Sequence, residues 1–179
     1  MIGYFGGQVD MIFMRFCDVW ASIPGILVVI LLATAIGTGF FQTIFAMSIG
    51  GFPHQIRQVR AMALRERTQE YLEAAVSINC SKAKIMYKHM LPNIIAPSIV
   101  HTTMGIGHQI TNAAALSYIG LGVQPPTPEW GAMLSAGRAY ILDCPHVLLF
   151  PGLCIALTVL CLNIFGDGLR DALDPKLKD

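Results

Sequence analysis

Few residues of this chain have the types and spacing that a catalytic centre needs. His101 and His108 are seven residues apart and therefore share one face of a helix, but they stand about 10 Å apart along its axis. Two imidazoles at that separation cannot bind one metal ion. The five cysteines show no CxxC or zinc-type spacing. We therefore expect no catalytic residue and no metal site, and the alternative is a small intramembrane enzyme that uses His101, His108 or Asp143.

The sequence also lacks the short motifs of the large hydrolase classes. It contains no GxxxxGK[ST] phosphate loop, no HExxH and no GxSxG. Energy for any active process would have to come from another protein. We expect a non-catalytic chain that binds no cofactor.

One polar segment, residues 66–93 (the 66–93 loop), interrupts an otherwise apolar chain. Asn79 suits the left-handed residue after a helix, and Ser81 suits the cap of a second helix, which Pro92 should end. Glu73 lies beside the small residues Ala74 and Ala75. The loop is thus predicted to be a helix-turn-helix outside the bilayer. The apolar residues that predict its first helix, at spacings of three, four and seven, are Leu64, Tyr71, Leu72, Ala75 and Val76.

Composition places the rest of the chain in a membrane. Hydrophobic residues make up 54% and charged residues 13% of the sequence, against about 25% charged in ordinary soluble domains. Residues 19–56 carry no formal charge, which is long enough for two helices of about 20 residues each. We predict an all-α polytopic protein with four transmembrane helices. The predicted spans are 23–36, 41–56, 94–116 and 147–165.

The third predicted span carries a stripe of polar side chains. Such a stripe is costly against lipid, so it should face other helices or a water-filled path. Both packing between helices and direct contact with substrate remain open for it. The stripe, which is the candidate translocation path, comprises His101, Thr102, His108, Gln109 and Asn112.

Basic residues fix the predicted orientation. With four spans, eleven of the twelve Lys and Arg residues lie on one side and only Arg138 lies on the other. The positive-inside rule makes the crowded side cytoplasmic. Both termini and the 66–93 loop are therefore expected in the cytoplasm. A connector resting on the bilayer would explain the same loop, whereas the tether to membrane on both sides argues against a nucleic-acid-binding role.

Three stretches resemble one family of transport proteins. Glu73-Ala74-Ala75, Asn79 and Leu91-Pro92 are similar to the EAA loop of permease subunits of binding-protein-dependent ABC importers, with Asn79 at the usual Gly and His89 at the usual Ile. Residues 120–131 and 166–175 resemble the dipeptide/oligopeptide/nickel permease group, specifically its C-type second subunit. The resemblance covers residues 3–176, nearly the whole chain.

The resemblance implies the C-terminal part of a type I ABC importer permease fold in a prokaryotic cell membrane. The first two of six spans have no counterpart here, so we expect an N-terminally truncated form, a partial permease domain over residues 1–179. Its implied partners are a second homologous permease, two ATP-binding subunits that hold ATP-Mg, and an extracytoplasmic solute-binding protein. Peptides, related small solutes or nickel would be the cargo. The residues implied to dock on the ATP-binding subunit are Glu73, Ala74, Ala75, Asn79, Ser81, Leu91 and Pro92.

Overall fold

The computed structural model describes residues 6–173, and over that range the chain is helical with connecting turns. The predictions that fall on Gly3, on Asp174-Pro175 and on the basic residues Lys176 and Lys178 lie outside the described residues. The helices of eight or more residues are α1 (Gly7–Ala21), α2 (Gly25–Ile36), α3 (Phe40–Arg67), α4 (Glu70–Ser77), α6 (Leu91–Tyr118), α7 (Trp130–Gly137) and α8 (His146–Leu173). The shorter segments are α5 (Lys82–Lys84), a π-helical turn (Ile85–Met90) and a 3-10 turn (Arg138–Tyr140).

The chain divides into two compact units. The first comprises residues up to 23 together with 52–100, and the second comprises 24–51 together with the residues from 101 onward. Ala63, Leu72 and Ile85 are among the core residues of the first unit. In the second unit, the core cluster is formed by Val29, Ala46 and Leu116.

Helix α1 occupies the segment that precedes the first predicted span. Gly7–Ala21 is a continuous helix of 15 residues. Its acidic residues are paired: Arg60 donates to both carboxylate oxygens of buried Asp10, at 2.7 and 2.5 Å, and Arg57 donates to Asp18 at 2.9 Å. Ion pairing satisfies these charges, so they do not interrupt the helix.

Helices α2 and α3 also differ from their predicted bounds. Pro24 precedes α2 as its N-cap, as expected of a residue without an N–H, and α2 itself has only 12 residues. Helix α3 continues through Pro53 to Arg67, 28 residues in all, where we predicted an end at residue 56. The pairing of Arg57 and Arg60 with α1 stabilises this extension.

Helix α8 runs through Gly166 to Leu173, so the prediction that Gly166 ends it is wrong. Gly166 is buried, and an added Cβ there would lie 3.0 Å from the Met104 Cγ and 3.4 Å from the Met104 Cα. The glycine therefore permits a close approach of α8 to α6. A glycine can serve packing in this way without ending a helix.

The segment after α6 folds back on the end of that helix. Gly120 has φ +88°, and the N–H groups of Gly120 and Leu121 donate to the carbonyls of Ser117 and Leu116 at 3.1 and 2.9 Å, which is a Schellman cap. The Ser117 hydroxyl accepts the N–H of Val123 at 3.1 Å. Pro125, Pro126 and Pro128 lie between α6 and the short helix α7, in a segment without regular helix.

Length and composition identify one helix within residues 6–173 that could cross a membrane, His146–Leu173. A second candidate arises if Gly7–Ala21 and Gly25–Ile36, which a short break separates, count as one span.

Candidate functional site

The 66–93 loop contains two helical arms. Helix α4 has eight residues and follows α3 after a break at Thr68 and Gln69. The single amphipathic helix predicted across Leu64 to Val76 is therefore wrong, because the chain bends between Leu64 and Tyr71. The second arm begins at Lys82 and passes through the π turn into α6.

The turn between the arms follows the sequence prediction. Asn79 has φ +55° and is the only non-glycine residue with positive φ among residues 6–173. Its N–H donates to the Val76 carbonyl at 2.9 Å, and the N–H of Cys80 donates to the Ala75 carbonyl at 3.1 Å. Those two bonds form a Schellman motif in which Asn79 takes the position usually held by glycine. The turn thus ends α4 and fixes where the second arm starts.

Ser81 caps the second arm, as predicted. Its hydroxyl accepts the N–H of Lys84 at 3.4 Å. Pro92 does not end this arm, which corrects the sequence interpretation: the helix continues to Tyr118. In an α-helix the proline ring would crowd the carbonyl four residues earlier, that of Lys88. The wider π turn directly before Leu91 relieves that crowding, and Leu91 and Pro92 are both exposed.

An apolar cluster holds the two arms together. Leu72 and Ala75 of the first arm, 2% and 7% exposed, pack with Ile85 and Met90 of the second. Ala75 therefore fills the interior of the loop and is not available to a partner. This differs from the expectation that both alanines dock into a cleft.

The opposite face of α4 is open. Glu73, Ala74 and Val76 are exposed, and Ile78 beside the turn is 75% exposed. A carboxylate with a methyl group and two branched apolar side chains forms a small surface that is apolar at its centre. Exposed apolar residues next to one charge are typical of contact surfaces.

A polar cluster that the sequence analysis missed lies at the base of the loop. The Tyr71 hydroxyl donates to the Glu66 carboxylate and accepts an N–H of the Asn93 side chain at 2.7 Å. Asn93 donates its other N–H to the His89 carbonyl at 2.9 Å. Burial, together with the bond to Glu66, raises the pKa of Tyr71 above its ordinary value. No helical spacing links these residues, since a helix break separates Glu66 from Tyr71.

The polar stripe of α6 lies on the surface of the second unit. His101, Thr102, His108 and Gln109 are exposed and Asn112 is half-buried. The opposite face of α6 packs on α8: an added Cβ at Gly107 would lie 3.1 Å from Val159 and 3.2 Å from Asn163. The close approaches between α6 and α8 thus occur at Gly107 and Met104, which are not stripe residues. Within residues 6–173 no three His, Cys, Asp or Glu side chains are grouped as a metal site.

The amino-acid sequence matches one protein family over its full length. The family model for the inner membrane component of binding-protein-dependent transport systems matches residues 1–179. The chain therefore belongs to this family and is a membrane protein.

Curated relatives of the chain are peptide-type permeases. It is 47% identical over 175 residues to the glutathione transport system permease protein GsiD of Escherichia coli O6:K15:H31 and of Shigella boydii serotype 4. The same identity holds for the GsiD protein of Shigella dysenteriae serotype 1. The match covers 98% of this chain and 58% of each relative. The intramembrane-enzyme alternative receives no support from these relatives, and the resemblance to the dipeptide and oligopeptide permease group is confirmed.

Proposed function

We propose that the chain forms half of the translocation path of a binding-protein-dependent ABC importer and couples that path to ATP-binding subunits through the 66–93 loop. Its partners would be a second homologous permease, two ATP-binding subunits carrying ATP-Mg, and an extracytoplasmic solute-binding protein. The chain itself binds no cofactor. Residues 1–179 would act as one partial permease domain.

The architecture of the 66–93 loop carries this proposal. The loop shares an apolar core with Ala63 of α3 and Ile94 of α6, which fixes its shape, and it presents Glu73 and Ala74 outward. Helices of 28 residues adjoin it on both sides. A force applied to α4 would therefore reach both helices. The open carboxylate of Glu73 suits a charge-assisted bond to a basic side chain on the ATP-binding subunit.

The topology we propose has four spans, with both termini and the loop in the cytoplasm of a prokaryotic cell. The distribution of basic residues supports it, because the loop carries Arg67, Lys82, Lys84 and Lys88 and is preceded by Arg65. The low charge of α6 and α8 supports membrane placement for both.

The translocation path would run along the stripe of α6. His101, Thr102, His108, Gln109 and Asn112 are on the side of α6 away from α8, where a second permease subunit can face them. Polar side chains in that position would line a water-filled route for a peptide-like solute. The glutathione permease relatives favour small peptides as cargo over nickel.

Charge reversal at Glu73 tests the docking role. Glu73→Lys should leave the protein inserted in the membrane but reduce uptake at least about tenfold, since it replaces a favourable ionic bond with repulsion. Uptake of a radiolabelled dipeptide into proteoliposomes that contain the assembled transporter measures this. Co-purification of the ATP-binding subunit with the variant measures docking directly.

Glu70→Lys is the matched control. Both glutamates are exposed and lie in the first turn of α4, so both changes remove the same favourable interaction with the helix N-terminus. Glu70→Lys should retain more than half of the uptake. Normal uptake by Glu73→Lys, or equal loss from both variants, would reject the specific role of Glu73.

A further inference from the structure

We infer that Tyr71 is a positioning residue for coupling, which clamps the base of the 66–93 loop so that movement of α4 is transmitted to α3 and α6. This inference rests on the proposed function. It concerns the Tyr71 hydroxyl and its partners Glu66 and Asn93, none of which belongs to the docking surface around Glu73.

The clamp joins three separate elements of the first unit. Glu66 is the second-last residue of α3, Tyr71 is in the first turn of α4, and Asn93 is the third residue of α6. The hydroxyl bonds Glu66 five residues earlier and Asn93 22 residues later. One side chain thus closes the loop where it leaves the two long helices.

Every donor in the clamp has an acceptor. A tyrosine hydroxyl has a single hydrogen, which goes to the Glu66 carboxylate, and its oxygen accepts from Asn93. The second N–H of Asn93 reaches the His89 carbonyl at 2.9 Å. Asn93 therefore also binds the backbone of the π turn, the part of the second arm where the helical bonding pattern is irregular.

The apolar cluster and the clamp have different mechanical effects. The apolar cluster holds the two arms against each other and also includes Ala63 of α3 and Ile94 of α6. Apolar contacts are non-directional, so the arms could still rotate about the break at Thr68 and Gln69. Directional hydrogen bonds to Glu66 and Asn93 restrict that rotation. Without the clamp the loop would still fold and dock. A movement of α4 would then bend the chain at Thr68 and Gln69 and would not move α3 and α6.

Tyr71→Phe removes the hydroxyl and keeps the ring. In the assembled transporter we expect the ATP-binding subunit to co-purify in unchanged amount and ATP hydrolysis to stay within about twofold of the parent. Dipeptide transported per ATP hydrolysed should fall about tenfold, the scale set by loss of one hydrogen bond to a carboxylate. Glu66→Ala should lower the same ratio, and the double variant should be no worse than the more affected single variant, because both remove the bond between Tyr71 and Glu66.

Tyr140→Phe is the control, since it makes the same chemical change at an exposed tyrosine outside the loop. If the amount of dipeptide transported per ATP hydrolysed is unchanged in Tyr71→Phe, the inference is overturned. A loss of transport that matches a loss of bound ATP-binding subunit would also overturn it, because Tyr71 would then serve docking or folding. If the parent complex itself shows no ATP-dependent uptake, the proposed function fails. If the parent complex transports and Tyr71→Phe transports as much dipeptide per ATP hydrolysed, only the inference about Tyr71 fails.

Discussion

Replacement by leucine should have different effects at the two adjacent alanines of α4. At Ala75 it should open the 66–93 loop, and at Ala74 it should leave the loop closed. Ala75 is 7% exposed and packs among Leu72 and Ile85, whereas Ala74 is exposed on the docking face. Ala75→Leu forces three extra carbon atoms into a filled cluster, which costs about 1–3 kcal/mol. That cost raises the population of the opened loop by about five- to 150-fold, because each 1.4 kcal/mol is about a tenfold change.

Hydrogen exchange followed by mass spectrometry measures this opening. The N–H groups of Asn79 and Cys80 are bonded only while the Schellman turn is intact, so a peptide that contains both reports on the loop. Exchange of these two N–H groups should accelerate by about five- to 150-fold in Ala75→Leu and stay unchanged in Ala74→Leu. Conversely, Ala74→Leu should reduce binding of the ATP-binding subunit. Equal exchange in the two variants would refute the assignment of Ala75 to the interior of the loop.

Two further predictions concern packing and ion pairs. Gly131→Ala should destabilise the protein by at least about 3 kcal/mol, because the added Cβ would lie 2.0 Å from the Ala114 carbonyl oxygen. Gly105→Ala, where no atom lies within 4 Å, should leave the melting temperature unchanged or raise it; equal melting temperatures for the two variants would contradict the close approach. Asp10→Ala should cost about 2 kcal/mol, since it leaves the partly buried Arg60 without its carboxylate. Asp18→Ala, which breaks an exposed pair, should cost about 0–1 kcal/mol, and a larger loss from Asp18→Ala in thermal unfolding would reverse this ranking.

Local chemistry could be predicted from the sequence where a single residue decides the conformation. Asn79 in the left-handed region and Ser81 as a helix cap are both confirmed. In each case the side chain or backbone acts within three or four residues, so the neighbouring sequence is sufficient to identify it.

Predictions failed where a residue acts through a distant contact. Gly166 does not end a helix, because it faces Met104, 62 residues earlier. Pro92 is a different case, because the π turn that lets the helix continue lies directly before Leu91. Neither the contact with Met104 nor the π turn can be inferred from spacing along one sequence.

The turn and the helix cap of the 66–93 loop could be predicted from the sequence, but its internal packing could not. The 66–93 loop and its exposed Glu73 follow from the polar interruption of an apolar chain. The division between a buried Ala75 and an exposed Ala74 depends on the bend at Thr68 and Gln69, which resets the helical phase. The Tyr71 clamp depends on the same bend and was therefore missed.

The most direct test is a cross-link between the 66–93 loop and the ATP-binding subunit. Ala74→Cys, in a chain whose five native cysteines are replaced by serine, should form a product with the ATP-binding subunit when the assembled transporter is treated with a short bifunctional thiol reagent. Ala136→Cys in the same background, an exposed position in α7 that the proposed topology places on the external side, should form none. A product from position 136, or none from position 74 while the complex is intact, would contradict the claim that the 66–93 loop contacts the ATP-binding subunit.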